Sequence, residues 1–173
     1  VSEITPAHKA MYSFVPVLDS SMKIREFVTS SLVTAVDANR VAGVIMAGGF
    51  GTRLRPLTNN LPKPLVDLDG TSLIERILER FAASGLKKVY VSVNYLAEQI
   101  TDALGDGSKW GIEIEYVTED KPLGTGGALG RIEDCKHETL ILTNGDIYSE
   151  LDFAKFINFH ENHAQDLTMA TVQ

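Results

Sequence analysis

The 173-residue sequence has little cysteine, no long apolar run and no excess of basic residues. Its one cysteine, Cys135, excludes an internal disulfide framework and is typical of a protein of the reducing cytoplasm. No apolar run approaches the ~18 residues that a membrane-spanning helix needs. The net charge of -7 disfavours broad binding to nucleic acid, because phosphates attract a basic surface. We therefore expect a cytoplasmic protein that binds neither membranes nor nucleic acid.

The N-terminus lacks an initiator methionine and also the basic and apolar regions of a secretory signal. We therefore expect a processed chain or a fragment. Hydrophobic residues make up 44% of the sequence and charged residues 23%, a balance typical of a folded globular domain. The length fits one ordinary domain, or one large domain with a short extension.

From about residue 41 onward, strand-like and helix-like segments alternate. The hydrophobic periodicity predicts strands at Val41–Met46, Lys88–Val93, Ile112–Tyr116, Leu140–Thr143 and Leu167–Val172, and helices at Ser72–Ser84, Leu96–Leu104 and Phe153–Asn162. Ser72 and Glu75 have the spacing of a capping box. This alternation predicts an α/β fold with a doubly wound, mostly parallel sheet that is covered on both faces. Ligands bind such sheets where strand order switches, so we expect the chemistry in the loops after Met46, Val117 and Thr143.

The first 40 residues have a different pattern. Phe14–Leu18 and Ile24–Val28 predict a short hairpin, with one helix before it and another at Ser31–Val36. We therefore predict two parts, an N-terminal appendage at residues 1–40 and a core at residues 41–173.

The loop after the first core strand carries the most specific pattern. Its three glycines, Gly48, Gly49 and Gly51, have no Cβ and let backbone N–H groups converge on an anion. No acidic residue lies between positions 40 and 66, a segment that contains four basic ones: Arg40, Arg53, Arg55 and Lys63. The segment is thus locally positive and suited to an anionic ligand.

Three prolines, Pro56, Pro62 and Pro64, follow within nine residues. They exclude a regular helix and are expected to hold the loop in a fixed, extended path. Such a loop presents Arg53 and Lys63 with little entropy left to lose on binding.

Two familiar phosphate-binding patterns do not fit this loop. The Walker pattern Gly-x-x-x-x-Gly-Lys-Ser/Thr is absent, and Leu54 stands where a dinucleotide fingerprint needs its third glycine. A glycine-rich turn alone would be weak evidence. The combination of the glycines with Thr52-Arg53 and Pro62-Lys63-Pro64 is far more specific.

With these residues, Ala47–Leu65 resembles the signature of the sugar-1-phosphate nucleotidylyltransferases, which make nucleotide-activated sugars. The resemblance covers about residues 41–172 and includes Lys121–Gly127 and Asn144-Gly145-Asp146. Leu54–Thr58 is similar to the sugar branch rather than to relatives that act on terpenoid precursors or molybdopterin. The resemblance implies a Rossmann-like nucleotidyltransferase core.

The resemblance also implies a reaction in which a sugar phosphate oxygen attacks the α-phosphorus of a nucleoside triphosphate and pyrophosphate leaves. The nucleophile is already ionised at neutral pH because the second pKa of a phosphate monoester is near ~6. No general base is required. The reaction needs charge neutralisation and two phosphates held in line.

By the same resemblance, three residues have catalytic roles. Arg53 would stabilise the departing pyrophosphate, Lys63 would draw the two phosphates together, and Asp146 would bind Mg²⁺, which prefers carboxylate and phosphate oxygens. The implied nucleotide-binding residues are Gly48, Gly49, Gly51, Thr52, Arg53, Glu119, Gly124 and Thr125.

The sequence departs from the family in one respect. The family has a second acidic metal ligand well downstream of the first, and no residue before Gln173 can be assigned that role. We expect a chain truncated at its C-terminus that binds nucleotide but turns over poorly. The alternative is a non-catalytic nucleotide- or nucleotide-sugar-binding regulatory module. The nucleobase, the sugar and assembly into a homo-oligomer are left open.

The N-terminal part has a resemblance of its own. Phe14–Asp19, followed by Ile24–Val28, resembles the latter half of a cystathionine-β-synthase-type (CBS) regulatory domain. Such domains usually come in pairs and bind adenine nucleotides, and some bacterial nucleotidylyltransferases carry a pair before the catalytic domain. An ordinary packing hairpin remains the alternative.

Overall fold

The structure is a computed structural model that describes residues 14–18, 21, 23–29, 36–51, 54–120, 123–124, 126–163 and 165–171. Its strands, β1 to β8 in chain order, are Phe14–Leu18, Ile24–Thr29, Val41–Met46, Asp67–Leu68, Thr71–Ser72, Lys88–Val93, Glu113–Thr118 and Thr139–Asn144. The α-helices α1 to α3 are Leu73–Ala83, Ala97–Leu104 and Phe153–His163. Short 3₁₀ helices are found at Lys63–Leu65, Ser108–Trp110 and Gly127–Arg131.

The chain divides into two compact units, one of Val1–Val36 with Ala154–Gln173 and the other of Asp37–Phe153. In the first unit, β1 and β2 form the predicted antiparallel hairpin, with a bulge between Val17 and Leu18. The two helices predicted beside this hairpin lie outside the described residues, apart from Val36. A domain boundary between residues 40 and 41 stays a prediction.

The second unit contains a parallel four-stranded sheet in the order β7–β6–β3–β8. The chain runs outward from β3 to β6 and β7, and then returns to the other side of β3 as β8. The strand order therefore switches beside β3. The predicted α/β sheet is confirmed, and the switch lies between the loops that follow β3 and β8, where ligands bind in such folds.

Both faces of this sheet are apolar and covered. On one face, α1 brings Phe81 so close to β3 that a Cβ at Gly43 would lie 2.6 Å from Cε2 of the ring. The other face carries a buried cluster that consists of Ala42, Val44, Tyr90 and Val117, with Met46, Ile132 and Leu140 packed against it. Because successive residues of a strand point to opposite faces, β3 is apolar along its whole length.

The local signals around α1 are confirmed. Ser72 accepts a hydrogen bond from the backbone N–H of Glu75, and the Glu75 carboxylate accepts one from the N–H of Ser72, which completes the capping box. The helix ends at Ala83, followed by Gly85 in the left-handed region at φ 93°. Strand β7 lies at the sheet edge, and its outward Glu113 and Glu115 are exposed, as the alternation predicts.

The strand predicted at Leu167–Val172 is wrong for the part of it that the structure describes. Residues 167–171 form no strand, and the side chains of Leu167 and Met169 are 76% and 73% exposed. A strand is stabilised by a hydrogen-bonded neighbour, and none of the described strands pairs with this segment. Within the described part of the chain, no helix has the length and apolar character needed to cross a membrane.

Candidate active site

Two loops meet at the carboxyl end of the sheet, where the strand order switches. The N–H of Gly145, in the loop after β8, donates to the carbonyl of Met46 at the end of β3, at 2.8 Å. A Cβ on Gly145 would lie 3.2 Å from that same oxygen and 3.3 Å from Cγ of Pro64. The loop after β8, the end of β3 and the Pro64 segment therefore converge at one place.

Lys63 and Asp146, two of the predicted catalytic residues, form an ion pair at this place. The Nζ atom of Lys63 bonds Oδ2 of Asp146 across 83 positions of sequence. Their side chains are 27% and 31% exposed, so the pair is shielded but open to a ligand. The loops after Met46 and Thr143, which the strand-end rule predicts to lie at one edge of the sheet, therefore meet through these two residues.

The segment that carries Lys63 is turned rather than extended, so the predicted extended path is wrong. Lys63–Leu65 is a 3₁₀ helix with Pro62 as its N-cap, and the N–H of Leu65 donates to the carbonyl of Pro62 at 2.9 Å. The first residues of a helical turn need no N–H donor, so prolines are compatible with it. Pro64 is buried and anchors the turn, which fixes the backbone position of Lys63.

The glycine-rich loop is closed by a buried threonine that sequence reasoning missed. Thr58 is 1% exposed, and its hydroxyl donates to the carbonyl of Gly51 at 2.7 Å. Gly51 has φ +60°, and a Cβ there would lie 3.1 Å from Cβ of Lys63. The loop therefore passes directly over Lys63. Nothing lies within 4 Å of a Cβ built on Gly49, so that glycine faces open space.

Glu119 lies at the other side of the glycine-rich loop. It is 6% exposed, and its carboxylate accepts hydrogen bonds from the Ser92 hydroxyl and, at 3.0 Å, from the N–H of Leu123. A Cβ on Gly48 would lie 3.5 Å from Oε1 of Glu119. A buried carboxylate with only neutral described partners thus lies beside the loop.

Two polar residues at the carboxyl end of β6 support this arrangement, and sequence reasoning missed both. Ser92 is fully buried and bonds the Glu119 carboxylate, and the Asn94 side-chain amide donates to the Glu119 carbonyl. Their signal was available, since polar residues that end an apolar strand lie at the ligand-binding edge of a parallel sheet.

Gly124 follows Leu123 and has φ +75°, with nothing within 4 Å of a built Cβ. Through the bond from Leu123 to Glu119, the start of this glycine segment is tied to the Gly48 side of the site. Three predicted site residues, Thr52, Arg53 and Thr125, lie outside the described residues, and their roles stay predictions.

A magnesium ion fits this site only in part. The described residues contain no cluster of three or more histidine, cysteine, aspartate or glutamate side chains that could hold a metal. Mg²⁺ is usually held by one or two carboxylates together with substrate phosphates and water. Asp146 is one carboxylate at this place, and its described partner is the ammonium of Lys63.

Several curated relatives of this chain are named mannose-1-phosphate guanylyltransferases or guanyltransferases. The chain is 38% identical over 136 residues to mannose-1-phosphate guanylyltransferase from Mycobacterium tuberculosis, a match that covers 78% of this chain and 38% of the relative. It is 40% identical over 134 residues to mannose-1-phosphate guanyltransferase from Yarrowia lipolytica, covering 75% and 37%. The chain thus spans less than two fifths of the length of these relatives.

Two solved structures and a family profile also match this chain. HddC from Yersinia pseudotuberculosis, complexed with GMP-PN, is 37% identical with a TM-score of 0.59, over 69% of this chain and 53% of that one. A putative glucose-1-phosphate thymidylyltransferase from Bacillus anthracis is 25% identical with a TM-score of 0.62, over 70% and 50%. The profile described as "Nucleotidyl transferase" matches residues 42–173. The chain therefore belongs to the nucleotidyl transferase family.

Proposed function

We propose that this chain is the nucleotide-binding part of a sugar-1-phosphate nucleotidylyltransferase. The enzyme would transfer a nucleoside monophosphate from a nucleoside triphosphate to a sugar 1-phosphate and release pyrophosphate. The observation that carries the proposal is the Lys63–Asp146 pair beneath the glycine-rich loop, at the switch in strand order. Family membership and relatives that are named mannose-1-phosphate guanylyltransferases support the same reaction.

Lys63 would have two states in this reaction. Without substrate, its ammonium neutralises Asp146. With the nucleotide present, the ammonium would move to phosphate oxygens, and Asp146 would hold Mg²⁺. That ion would supply further neutralisation of phosphate charge. The ion pair therefore holds both side chains in place before binding.

The chemical step would be an in-line substitution at the α-phosphorus. The sugar phosphate oxygen forms a bond to phosphorus, the bond to the bridging oxygen of the β-phosphate breaks, and its electron pair leaves with pyrophosphate. Lys63 would hold the attacking phosphate and the α-phosphate together against their repulsion. Arg53 would stabilise the leaving pyrophosphate. Gly48, Gly49, Gly51 and Thr52 would contribute backbone and hydroxyl donors.

Glu119 would read the nucleobase, with Gly124 and Thr125 lining the same end of the site. Its buried carboxylate has only neutral described partners, so it is suited to accept further N–H donors. Guanine presents N–H donors side by side on one edge, which a carboxylate can match with both oxygens. We therefore propose GTP as donor and mannose 1-phosphate as the first acceptor to test, a choice supported by the names of the relatives.

Other parts of the proposal concern the whole protein. We place an appendage at residues 1–40 before a core at 41–173, and the hairpin β1–β2 is compatible with a CBS-type regulatory segment. A cytoplasmic location is supported by the single, exposed thiol of Cys135.

A non-catalytic nucleotide-binding module is the second candidate. It is favoured by one observation, that the described residues, Asp146 among them, form no cluster of three or more histidine, cysteine, aspartate or glutamate side chains that could hold a metal. In that case the chain would bind a nucleotide or a nucleotide sugar and release no pyrophosphate.

A pyrophosphate-release panel separates the two candidates. Five nucleoside triphosphates are crossed with several sugar 1-phosphates and Mg²⁺, and GTP binding is measured by calorimetry in parallel. Both measurements use this chain and the product of the complete reading frame. We expect this chain to bind GTP with poor turnover, and the complete product to release pyrophosphate with GTP and mannose 1-phosphate. Binding without release in both would favour the module, and absence of nucleotide binding in both would reject both candidates.

A further inference from the structure

We propose that Thr58 and Tyr95 are positioning residues that fix the described residues 50–51 and 54–59 of one segment before a nucleotide binds; positions 50–59 are here called the arginine loop. This inference rests on the proposed function, because the loop contains Arg53. Neither residue is assigned a contact with substrate.

Thr58 closes the loop from inside. Its side chain is 1% exposed, and its hydroxyl donates to the carbonyl of Gly51, seven positions earlier, at 2.7 Å. Its Cβ and Cγ2 atoms would each lie 3.2 Å from a Cβ on Gly51. The N–H of Leu54 donates to the same carbonyl at 3.0 Å. The Gly51 oxygen therefore keeps a donor if the Thr58 hydroxyl is removed.

Tyr95 closes the loop from outside, and it comes from a different element, two residues after β6 ends. Its ring centroid lies 5.3 Å from that of Phe50, with the planes inclined by 41°, and its hydroxyl donates to the carbonyl of Asn59 at 3.2 Å. One side chain thus contacts both ends of the arginine loop. Phe50 is 46% exposed, so this contact belongs to the surface rather than to the core.

These contacts fix the ends of a short segment that has two turns of its own. The N–H of Leu57 donates to the carbonyl of Leu54 at 3.0 Å, and that of Asn59 to the carbonyl of Pro56 at 3.1 Å. A segment whose ends are already fixed loses less conformational entropy when it binds a ligand. We therefore expect loss of either contact to weaken nucleotide binding.

The variants are chosen so that packing and hydrogen bonding change separately. Thr58→Val keeps the shape of the side chain and removes the hydroxyl, whereas Thr58→Ser keeps the hydroxyl and removes a buried methyl. Tyr95→Phe keeps the ring against Phe50 and removes the bond to Asn59. A merely structural role predicts that Thr58→Ser, which creates a small cavity, costs affinity as much as it costs stability.

Two measurements are made on the 173-residue chain. Calorimetry gives the affinity for GTP in the presence of Mg²⁺. Limited trypsin digestion, followed by mass spectrometry, gives the rate of cleavage between Arg53 and Leu54; the Arg55–Pro56 bond resists trypsin because proline follows. The second readout reports opening of the loop and needs no nucleotide.

We expect Thr58→Val to weaken GTP binding about fivefold and to speed cleavage after Arg53 by a similar factor, as loss of one hydrogen bond implies. Tyr95→Phe is expected to change both by about threefold. Thr58→Ser is expected to change both less than twofold while lowering the melting temperature.

Unchanged affinity in Thr58→Val and Tyr95→Phe would overturn the inference, even if cleavage became faster. If the wild-type chain binds no nucleotide, the proposed function fails, and the cleavage rates still decide whether these residues close the loop. Should Thr58→Val fail to fold, Tyr95→Phe, which changes a surface contact, gives the same test.

Discussion

The two ends of the four-stranded sheet carry ion pairs of the same chemistry in different surroundings. At the amino end, Nζ of Lys88 lies 2.6 Å from Glu113 and 2.7 Å from Glu115, and both carboxylates belong to the neighbouring strand β7. At the carboxyl end, Lys63 pairs with Asp146, and both residues come from loops. One pair is set by strand register, the other by two loops that meet at the switch in strand order.

The difference lies in the balance of charge. Lys88 is directly opposite Glu113 in the register of β6 with β7, and two carboxylates more than neutralise it. Lys63 has one described carboxylate partner, Asp146, and positions 41–65 around it contain Arg53, Arg55 and Lys63 but no acidic residue. A segment with excess positive charge attracts polyanions, whereas a neutralised cation chiefly holds strands together. We therefore expect the same residue types to stabilise structure at one end and, under the proposed function, to bind phosphates at the other.

The largest effect is expected from removing the lysine at each end in turn. Lys63→Ala is predicted to reduce pyrophosphate release by the product of the complete reading frame about a hundredfold, because a charge-assisted contact to the transferred phosphate is lost. Lys88→Ala is the matched control and is predicted to change the rate less than twofold. The rate with GTP and mannose 1-phosphate checks both. Equal losses in the two variants would contradict the assignment of ligand binding to one end.

The second effect concerns magnesium and Asp146. In the wild-type chain, added Mg²⁺ is predicted to raise the affinity for GTP. Asp146→Asn is predicted to make that increase in affinity about tenfold smaller, because a neutral amide is a poor ligand for this ion. Glu138→Gln, which breaks the exposed 2.8 Å pair with Arg40 at the amino end, is predicted to keep it. Calorimetric titrations with Mg²⁺ and with EDTA measure the difference. A full Mg²⁺ response in Asp146→Asn would exclude this residue as the metal ligand.

Two glycines on the same chain segment sharpen the comparison further. Gly43→Ala is predicted to lower the free energy of unfolding by about 1–3 kcal/mol, because its Cβ would meet the Phe81 ring at 2.6 Å. Gly49→Ala has open space around its Cβ and is predicted to leave stability nearly unchanged while weakening GTP binding a few-fold. Urea unfolding and calorimetry separate the two. If Gly49→Ala changed stability and left binding intact, the glycine-rich loop would be structural rather than ligand-binding.

The sequence predicted those parts of the fold that local patterns determine. The capping box of Ser72 and Glu75, the helix that follows it and the strand Lys88–Val93 were each predicted within a residue or two, because hydrophobic periodicity and capping act over short distances. The strand predicted at Leu167–Val172 was wrong for the residues described, since a strand depends on a partner that its own sequence does not specify.

The candidate site shows the same limit. The meeting of the loops after Met46 and Thr143 followed from the general rule about strand ends, whereas the Lys63–Asp146 pair, the burial of Thr58 and the supporting bonds of Ser92 and Asn94 depend on contacts between distant segments. The three prolines predict that no regular helix forms, but Pro62 and Pro64 begin a 3₁₀ turn instead of an extended chain, because proline fits the start of a helical turn as well. The role of Arg53 and the identity of the nucleobase stay predictions.

The smallest effect is expected at the amino end of the sheet, from the pH dependence of stability. The hydrogen bond from Lys88 holds the pKa of Glu113 below its ordinary value of 4.5. Burial tends to lower the pKa of Lys88, but its bonds to Glu113 and Glu115 outweigh this and raise it. Because the pKa of Glu113 is lower in the folded state, its contribution is present above pH 4.5 and is lost as the pH falls through the folded-state value.

We therefore predict that Glu113→Gln lowers the melting temperature at pH 7 by at most about 2 °C, since exposed ion pairs contribute little. The difference from wild type should disappear once the pH has fallen through the folded-state pKa of Glu113, because both proteins then lack the charge. In a Lys88→Met background, Glu113→Gln should have no effect above or below that pKa, which a double-mutant cycle of melting temperatures would measure. A difference that persists after Glu113 is protonated would mean that Glu113 stabilises the strand pair by packing, and the contrast between the two ends would then not be one of charge.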